Sequence, residues 1–233
     1  MLGAFSFNAS KIGVWNGFTT HWYADLFRDE MLLEGLLDSL IIAIVATLVA
    51  TAIGTLAAYA LWKRRSPLLM SSLYLSLVTP EIVTGVSLLV LYAWIFRTLR
   101  LQLGMHTVIL AHISFCLVFV VLVVLARLRT FDYGLEEAAQ DLGANDWQAF
   151  RYVTLPLLWP GVLAAALLCF TVSFDDYVIT SLVAGVNSET LPMMIYAMAR
   201  KGVSPTVNAI SVLITVALGT LILFAARLEQ RTS

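Results

Sequence analysis

Three carboxylates lie within long apolar stretches of this sequence, and simple packing does not explain them. They are Glu81, Asp175 and Asp176. An ionised Asp at the centre of a membrane helix costs at least about 2.5–3.5 kcal/mol, so such groups usually face a cavity or a partner. Counted at about 1.5 Å per residue from the start of their apolar runs, at Leu68 and Gly161, Glu81 and Asp175 both lie roughly 20 Å along a helix. We therefore predict a shared polar site that suits a cationic molecule.

The residues around these acids favour a site but leave other roles open. Pro80 has no N–H, so it frees the carbonyl of Ser76 and favours a helix bend. Asp175 and Asp176 are about 100° apart on a helix, so one could line a path while the other bonds a neighbouring helix. The Tyr177 ring could hold an ammonium group by a cation–π contact, although packing is the commoner role of such rings. The acids could also lie near the outer surface, or cap helix ends, without contacting a substrate.

A polar stretch, 137–156, separates two of the apolar runs. Leu135–Leu142 is rich in good helix formers. Gly143 follows where a helix would stop, since glycine takes the left-handed conformation without steric cost. Asn145, with Gln148 three residues later, matches a capping box that would start a second helix. The pattern predicts two short helices joined at a glycine.

Composition places the whole chain in a membrane. Hydrophobic residues make up 60% of the 233 residues, charged residues only 12%, and the mean hydropathy is +0.88. Soluble domains average about 25% charged residues. The net charge of −1 argues against a nucleic-acid partner, which would need a basic face. We predict an all-α, polytopic membrane protein in contact with lipid.

Five apolar spans are predicted between residues 36 and 233, and residues 1–35 form a separate, aromatic-rich segment suited to the water–lipid interface. The spans are Leu36–Trp62, Leu68–Phe96, Met105–Ala126, Gly161–Gly185 and Thr206–Ala226. Each is long enough to cross a hydrocarbon core of about 30 Å.

No pattern in the sequence predicts an enzyme. It contains no G-x-x-x-x-G-K-[ST] loop for ATP and no H-E-x-x-H zinc motif. Cys116 and Cys169 are isolated in apolar runs and provide no metal-ligand spacing. We expect no metal site, no cofactor and no intrinsic ATP hydrolysis.

The polar stretch resembles a known element. Glu137-Ala138-Ala139, then Gly143, Val153 and Leu155-Pro156, match the EAA loop of ABC importer permeases in residue type and spacing. In that family the loop faces the cytoplasm, and its short coupling helix docks on the ATP-binding subunit. We call residues 130–156 the coupling loop. The resemblance implies that Glu137 braces the loop and Gly143 sets the angle between its helices. The residues expected to couple to the ATPase are Glu137, Ala138, Ala139, Gly143, Ala144, Asn145, Asp146 and Trp147. An amphipathic surface loop of an unrelated membrane protein is the alternative.

Further motifs are similar to those of spermidine/putrescine importer permeases, and together they span nearly the whole chain. The matching segments are Phe7-Asn8-Ala9-Ser10, Trp15 to Tyr23, Thr79-Pro80-Glu81-Ile82-Val83, Ser173 to Val178, and Gly202-Val203-Ser204-Pro205 with Val207-Asn208-Ala209. Members of that family carry one more apolar helix upstream. The resemblance therefore implies the type I ABC importer transmembrane fold, with the first family helix missing and residues 1–35 on the periplasmic side.

The resemblance implies a multi-pass permease subunit of an ATP-driven polyamine importer in a bacterial inner membrane. Its expected partners are a second, homologous permease, a dimer of ATP-binding subunits holding ATP and Mg, and a periplasmic substrate-binding protein. Glu81, Asp175, Asp176 and Tyr177 are the expected substrate path. Two alternatives stay open: an ABC importer permease for another solute, and a secondary carrier or channel whose aspartates relay protons.

Overall fold

The structure is a computed structural model that describes residues 2–10, 15–64, 66–186, 188–201 and 205–232. Within these ranges the regular secondary structure is helical, and β-pairing is limited to one isolated bridge between Asn8 and Phe18. The expectation of an all-α protein is confirmed.

Helices follow one another along the described chain. In order they are α1 (Leu2–Phe5), α2 (His21–Leu26), α3 (Glu30–Lys63), α4 (Pro67–Val78), α5 (Glu81–Leu99), α6 (Met105–Leu128), α7 (Gly134–Asp141), α8 (Asp146–Ala149), a π-helical turn (Phe150–Thr154), α9 (Leu155–Asp175), α10 (Val178–Val183), α11 (Leu191–Lys201) and α12 (Pro205–Thr232). They form two compact units. Unit 1 contains Met1–Ile42, Gly85–Val108 and Phe174–Ser233, and unit 2 contains Ala43–Thr84 and Ile109–Ser173.

Four helices in the described ranges are long and apolar enough to cross a membrane. They are Glu30–Lys63, Glu81–Thr98, Met105–Leu128 and Asp146–Asp175. Two shorter apolar helices, Pro67–Val78 and Pro205–Thr220, accompany them. The first span therefore starts at Glu30, so the predicted segment boundary after residue 35 falls inside α3.

The predicted second span is interrupted at Pro80. Helix α4 ends at Val78, and α5 begins at Glu81. Thr79 has φ −67° and ψ 125°, an extended conformation, because a proline ring clashes with a helical residue before it. The expectation of a bend within one helix was wrong, since the backbone leaves helical geometry and Glu81 starts a new helix.

The predicted fourth span, 161–185, was also misplaced. Helix α9 starts at Leu155 and ends at Asp175, and two residues separate it from α10. Its 21 residues cover roughly 30 Å, about the thickness of the hydrocarbon core. Asp175 therefore lies at the end of its helix and not at the intermediate depth counted from Gly161.

The core of unit 2 is formed where the second half of α3 packs against α6 and α9. Its buried residues are Ala50, Ala58, Cys116, Val120, Val121, Val124, Leu125, Leu128, Leu158, Val162, Ala165 and Cys169. Gly54 makes the closest approach, because a Cβ added there would lie 2.7 Å from Cγ1 of Val120. His112 joins α6 to α9 through a hydrogen bond of 2.7 Å between its Nδ1 and Ser173 Oγ. His112 therefore has a structural role in the packing of α6 against α9.

Unit 1 packs the first two helices of the chain, α1 and α2, against the last one, α12. Ser39 Oγ, on the first part of α3, accepts a buried hydrogen bond of 2.8 Å from the Leu191 N–H at the start of α11. Thr107 Oγ1 donates to the Val183 carbonyl at 2.7 Å and so ties α6 to the end of α10. Side-chain hydrogen bonds thus hold the helix ends of this unit.

The contact at Gly54 gives a test of the unit 2 packing. We expect Gly54→Val to destabilise the detergent-solubilised protein by about 1–3 kcal/mol, because the added side chain overlaps Val120. A thermal unfolding curve measures the change. Gly219→Val is the matched control, since Gly219 is also helical and an added Cβ there meets nothing within 4 Å. Equal losses in the two variants would contradict the packing.

Candidate functional site

The first helix of the coupling loop ends at a glycine with a left-handed backbone. Gly143 has φ +93°, and its N–H donates to the Gln140 carbonyl at 2.8 Å. The Ala144 N–H donates to the Ala139 carbonyl at 3.0 Å. These bonds satisfy carbonyls that the end of α7 would otherwise leave unpaired. The predicted helix stop at Gly143 is confirmed.

The second helix begins with the predicted capping box. Asn145 Oδ1 accepts from the Gln148 N–H, and Gln148 Oε1 accepts from the Asn145 N–H, both at 2.9 Å. Gln140 Nε2 also donates to Asp146 Oδ1 at 2.8 Å. Since Gln140 lies on α7 and Asp146 on α8, this bond fixes the two helices relative to each other. The coupling loop is therefore a defined structure.

Helix α8 continues into the membrane helix α9 through the π-helical turn Phe150–Thr154. The Leu155 N–H donates to the Phe150 carbonyl, five residues back. In an α-helix the ring of Pro156 would clash with the carbonyl of Tyr152. The wider π turn relieves that clash without breaking the helix. Helices α8 and α9 are therefore joined as one continuous helical segment.

A buried carboxylate braces the coupling loop, and it is Glu136. Its side chain is 1% exposed, its Oε1 accepts a short hydrogen bond from Tyr59 Oη, and Lys63 Nζ lies 3.0 Å from its Oε2. Glu137 is exposed. The bracing role expected for Glu137 stays a prediction, and the carboxylate on the face of α7 that meets the end of α3 is Glu136.

The outer face of the coupling loop exposes large apolar side chains. Leu142 is 91% exposed and Trp147 is 58% exposed. Glu137, Asn145 and Asp146 are exposed beside them, and Ala144 is half-buried. Leu142 was not among the predicted coupling residues, although it directly precedes Gly143. Exposed apolar groups with a polar rim are typical of a protein-binding surface.

The acid pair lies at the break between α9 and α10. Asp175 is exposed and ends α9. Asp176 Oδ2 accepts from the N–H and Oγ1 of Thr180 at 2.8 and 2.7 Å, and its Oδ1 accepts from the Ile179 N–H at 3.3 Å. Asp176 thus caps the start of α10, one of the alternatives left open from the sequence.

The tyrosine beside the acids is held by another ring. Tyr177 stacks on Tyr196 of α11 with a centroid distance of 4.2 Å, and the Arg200 guanidinium lies 6.0 Å from the Tyr196 ring. Tyr196 was not predicted, because α11 is short and amphipathic and gives no span signal. Tyr177 therefore packs against α11.

The remaining predicted site residues are not brought to this break by any described contact. Glu81 is exposed at the first turn of α5 and belongs to unit 2, so its part in a substrate path stays a prediction. Gly202, Val203 and Ser204 lie outside the described residues. Among the residues that the structure describes, no group of three or more His, Cys, Asp or Glu side chains could hold a metal ion.

Solved structures share this fold. The inward-facing MetNI methionine ABC transporter matches with a TM-score of 0.71 at 19% identity, covering 87% of this chain and 96% of that one. A bacterial ABC transporter that imports the acidic polysaccharide alginate matches with a TM-score of 0.75 at 16% identity, covering 97% and 86%. The predicted type I ABC importer fold is confirmed.

Sequence comparison identifies the family. The spermidine/putrescine transport system permease protein PotC of Escherichia coli K12 is 42% identical over 230 residues, which cover 97% of this chain and 85% of that protein. The putrescine transport system permease protein PotI of the same strain is 40% identical over 226 residues, covering 94% and 80%. Residues 37–233 match the family described as binding-protein-dependent transport system inner membrane component. This chain is a member of that family of inner membrane permeases.

Proposed function

We propose that this chain is the permease subunit of an ATP-driven importer of polyamines such as spermidine or putrescine. The observation that carries the proposal is the coupling loop, whose two short helices are capped, braced and continuous with a membrane helix. The cargo class is supported by the 42% identity to PotC along 97% of the chain. An importer of another solute is the second candidate.

The coupling loop would dock on a dimer of ATP-binding subunits. Because this sequence has no P-loop, ATP and Mg would be held by those subunits. The exposed Leu142 and Trp147 fit a groove with an apolar floor, and the exposed carboxylates of Glu137 and Asp146 fit a basic rim. A secondary carrier would leave this shaped surface without a use.

Two further partners complete the proposed importer. A second, homologous permease would close the path, and a periplasmic substrate-binding protein would deliver the polyamine. One solved relative in fold, with a TM-score of 0.71, is an alginate ABC transporter in complex with an alginate pentasaccharide-bound periplasmic protein. That complex supports the general arrangement and says nothing about this chain's cargo.

The break after α9 is the proposed contact with the polyamine. Asp175 is exposed, so its carboxylate can neutralise an ammonium group, whereas the Asp176 oxygens already cap α10. One continuous helix runs from the π-helical turn to Asp175. Glu81 and Tyr177 remain proposed members of the same path.

The cargo is tested by ATP hydrolysis in the reconstituted complex with its binding protein. We expect polyamines to stimulate hydrolysis, and amino acids, sulfate and ferric iron to leave it at the basal rate. The assembled complex is needed because the polyamine path and the ATP sites would lie on different subunits, which the coupling loop would connect. Stimulation by one of the other solutes alone would support the assignment as an importer but contradict the assignment of polyamines as its cargo.

The two aspartates should separate by substitution. Asp175→Asn should lower polyamine uptake about tenfold or more, since a hydrogen bond to a charged group contributes about 1.5–3 kcal/mol. Asp176→Asn should transport almost normally, because its amide oxygen can still accept from the Thr180 N–H and only the 3.3 Å bond from the Ile179 N–H is lost. Asp176→Ala should lose about 1 kcal/mol of stability. Uptake by proteoliposomes and thermal unfolding measure the two effects. Normal uptake by Asp175→Asn would remove it from the path.

The turn at Gly143 should matter through its backbone alone. An added Cβ meets nothing within 4 Å, so Gly143→Ala is not crowded but is strained at φ +93° by about 1 kcal/mol. We expect polyamine-stimulated ATP hydrolysis to fall while the helical circular dichroism signal is retained.

Gly143→Asn is the control for that strain, because asparagine tolerates left-handed backbone better than alanine. It should retain more activity than Gly143→Ala. If alanine and asparagine lowered the activity equally, the effect would come from the side chain at the docking surface and not from the turn.

A further inference from the structure

The end of α3 and the coupling loop meet at one cluster of polar and aromatic side chains. Lys63 Nζ lies 3.0 Å from Glu136 Oε2, and Tyr59 Oη donates to Glu136 Oε1. Tyr59 and Lys63 are one helical turn apart on α3, so both reach the same carboxylate. The chain separation between Tyr59 and Glu136 is 77 residues. This contact therefore depends on the tertiary fold.

Aromatic rings surround the ammonium group of Lys63. Its Nζ lies 4.8 Å from the centroid of Tyr133 and 5.8 Å from that of Trp62. Trp62 in turn contacts Phe131 edge-on at 5.8 Å. These rings exclude water on one side of the ion pair and connect α3 to the segment just before α7.

The same cluster reaches the other end of the coupling loop. The Tyr59 ring lies 4.5 Å from the ring of Phe150, at the start of the π-helical turn, and Phe150 lies 5.6 Å from Trp147 of α8. One side chain of α3 thus contacts α7 through its hydroxyl and the turn after α8 through its ring. Both ends of the coupling loop therefore contact the same membrane helix, α3.

A buried ion pair contributes little net stability, because removing both charges from water offsets their attraction. Its effect is on geometry: the carboxylate is satisfied only when Tyr59 and Lys63 both stand in place, so α7 cannot slide or rotate on α3 without leaving a buried charge unpaired. An apolar contact of the same size would tolerate such sliding.

We propose that Glu136 is a positioning residue which, through Tyr59 and Lys63, locks the coupling loop to α3 so that displacement of the loop by its partner moves α3 as well. The inference rests on the proposed coupling function but not on the identity of the cargo. The exposed Glu137 is left for the docking surface.

The test separates positioning from stability by replacing the pair with apolar residues. Glu136→Leu with Lys63→Met removes both charges together, and such replacements of buried pairs are usually neutral or stabilising. We expect the complex of this double variant with its ATPase to assemble and to unfold at the wild-type temperature or above. We expect it to transport about tenfold less polyamine per ATP hydrolysed, within the range of typical coupling between two sites. Glu34→Gln, an exposed glutamate near the other end of α3, is the matched control and should transport normally.

A merely structural brace predicts the opposite result. The double variant would then recover both the unfolding temperature and the transport per ATP of the wild type, and the proposal would be rejected. Tyr59→Phe provides a second, milder variant, because it keeps the ring on Phe150 and removes only the hydroxyl. It should lower transport per ATP and also lower the unfolding temperature slightly, because Glu136 Oε1 loses its donor. Unchanged coupling in this variant would also count against the proposal.

A distance measurement makes the test independent of the cargo. Spin labels at Ile53→Cys on α3 and Asp141→Cys on α7 report the geometry directly, because both positions are exposed and both natural cysteines are buried. In a complex whose partner subunits lack cysteine, we expect one narrow distance distribution that does not change when ATP is added. With Glu136→Leu and Lys63→Met it should broaden. A narrow distribution in the double variant would overturn the brace even if the solute carried were not a polyamine.

Discussion

Backbone polar groups in the hydrocarbon of a membrane have no water to bond, so each helix break in a membrane protein needs side chains that satisfy its backbone. Three interruptions show it. The start of α10 is capped by the Asp176 carboxylate. The turn after α10 is closed by Ser188 Oγ, which accepts from the Gly185 N–H and donates to its carbonyl. Thr107 Oγ1 donates to the carbonyls of Gly104 and Val183. Each break thus comes with a side chain that satisfies the exposed backbone.

The same constraint places the candidate functional groups. A capped break is where an acidic side chain can leave the apolar surface without cost, and Asp175 lies at one. A polar turn outside the spans is where a partner can bind, and Gly143 makes one. Between the two runs a single continuous stretch of helix, from α8 to the end of α9.

Local sequence signals predicted the coupling loop well and the membrane helices less well. The stop at Gly143 and the capping box at Asn145 depend on neighbours only a few residues away, so the sequence contains all that is needed. The breaks at Pro80 and Asp175 lie inside long apolar runs, and the mean hydropathy of such a run does not show where a helix ends. The choice of Glu136 over Glu137 could not be made locally, because the deciding partners, Tyr59 and Lys63, come from a helix more than seventy residues upstream.

Because of the π-helical turn, the number of residues in the coupling loop determines the rotation of α8 relative to α9 as well as the distance between them. A residue added within one helical turn rotates everything before it by about 100° relative to everything after it. The turn at Phe150–Thr154 therefore sets the direction in which Trp147 points relative to the buried face of α9. A chain with one residue fewer between Gly143 and Pro156 could still form both helices. Its docking surface would be rotated by about a quarter-turn away from the partner. The number of residues in this loop therefore fixes the rotation of α8 about the helix axis relative to α9.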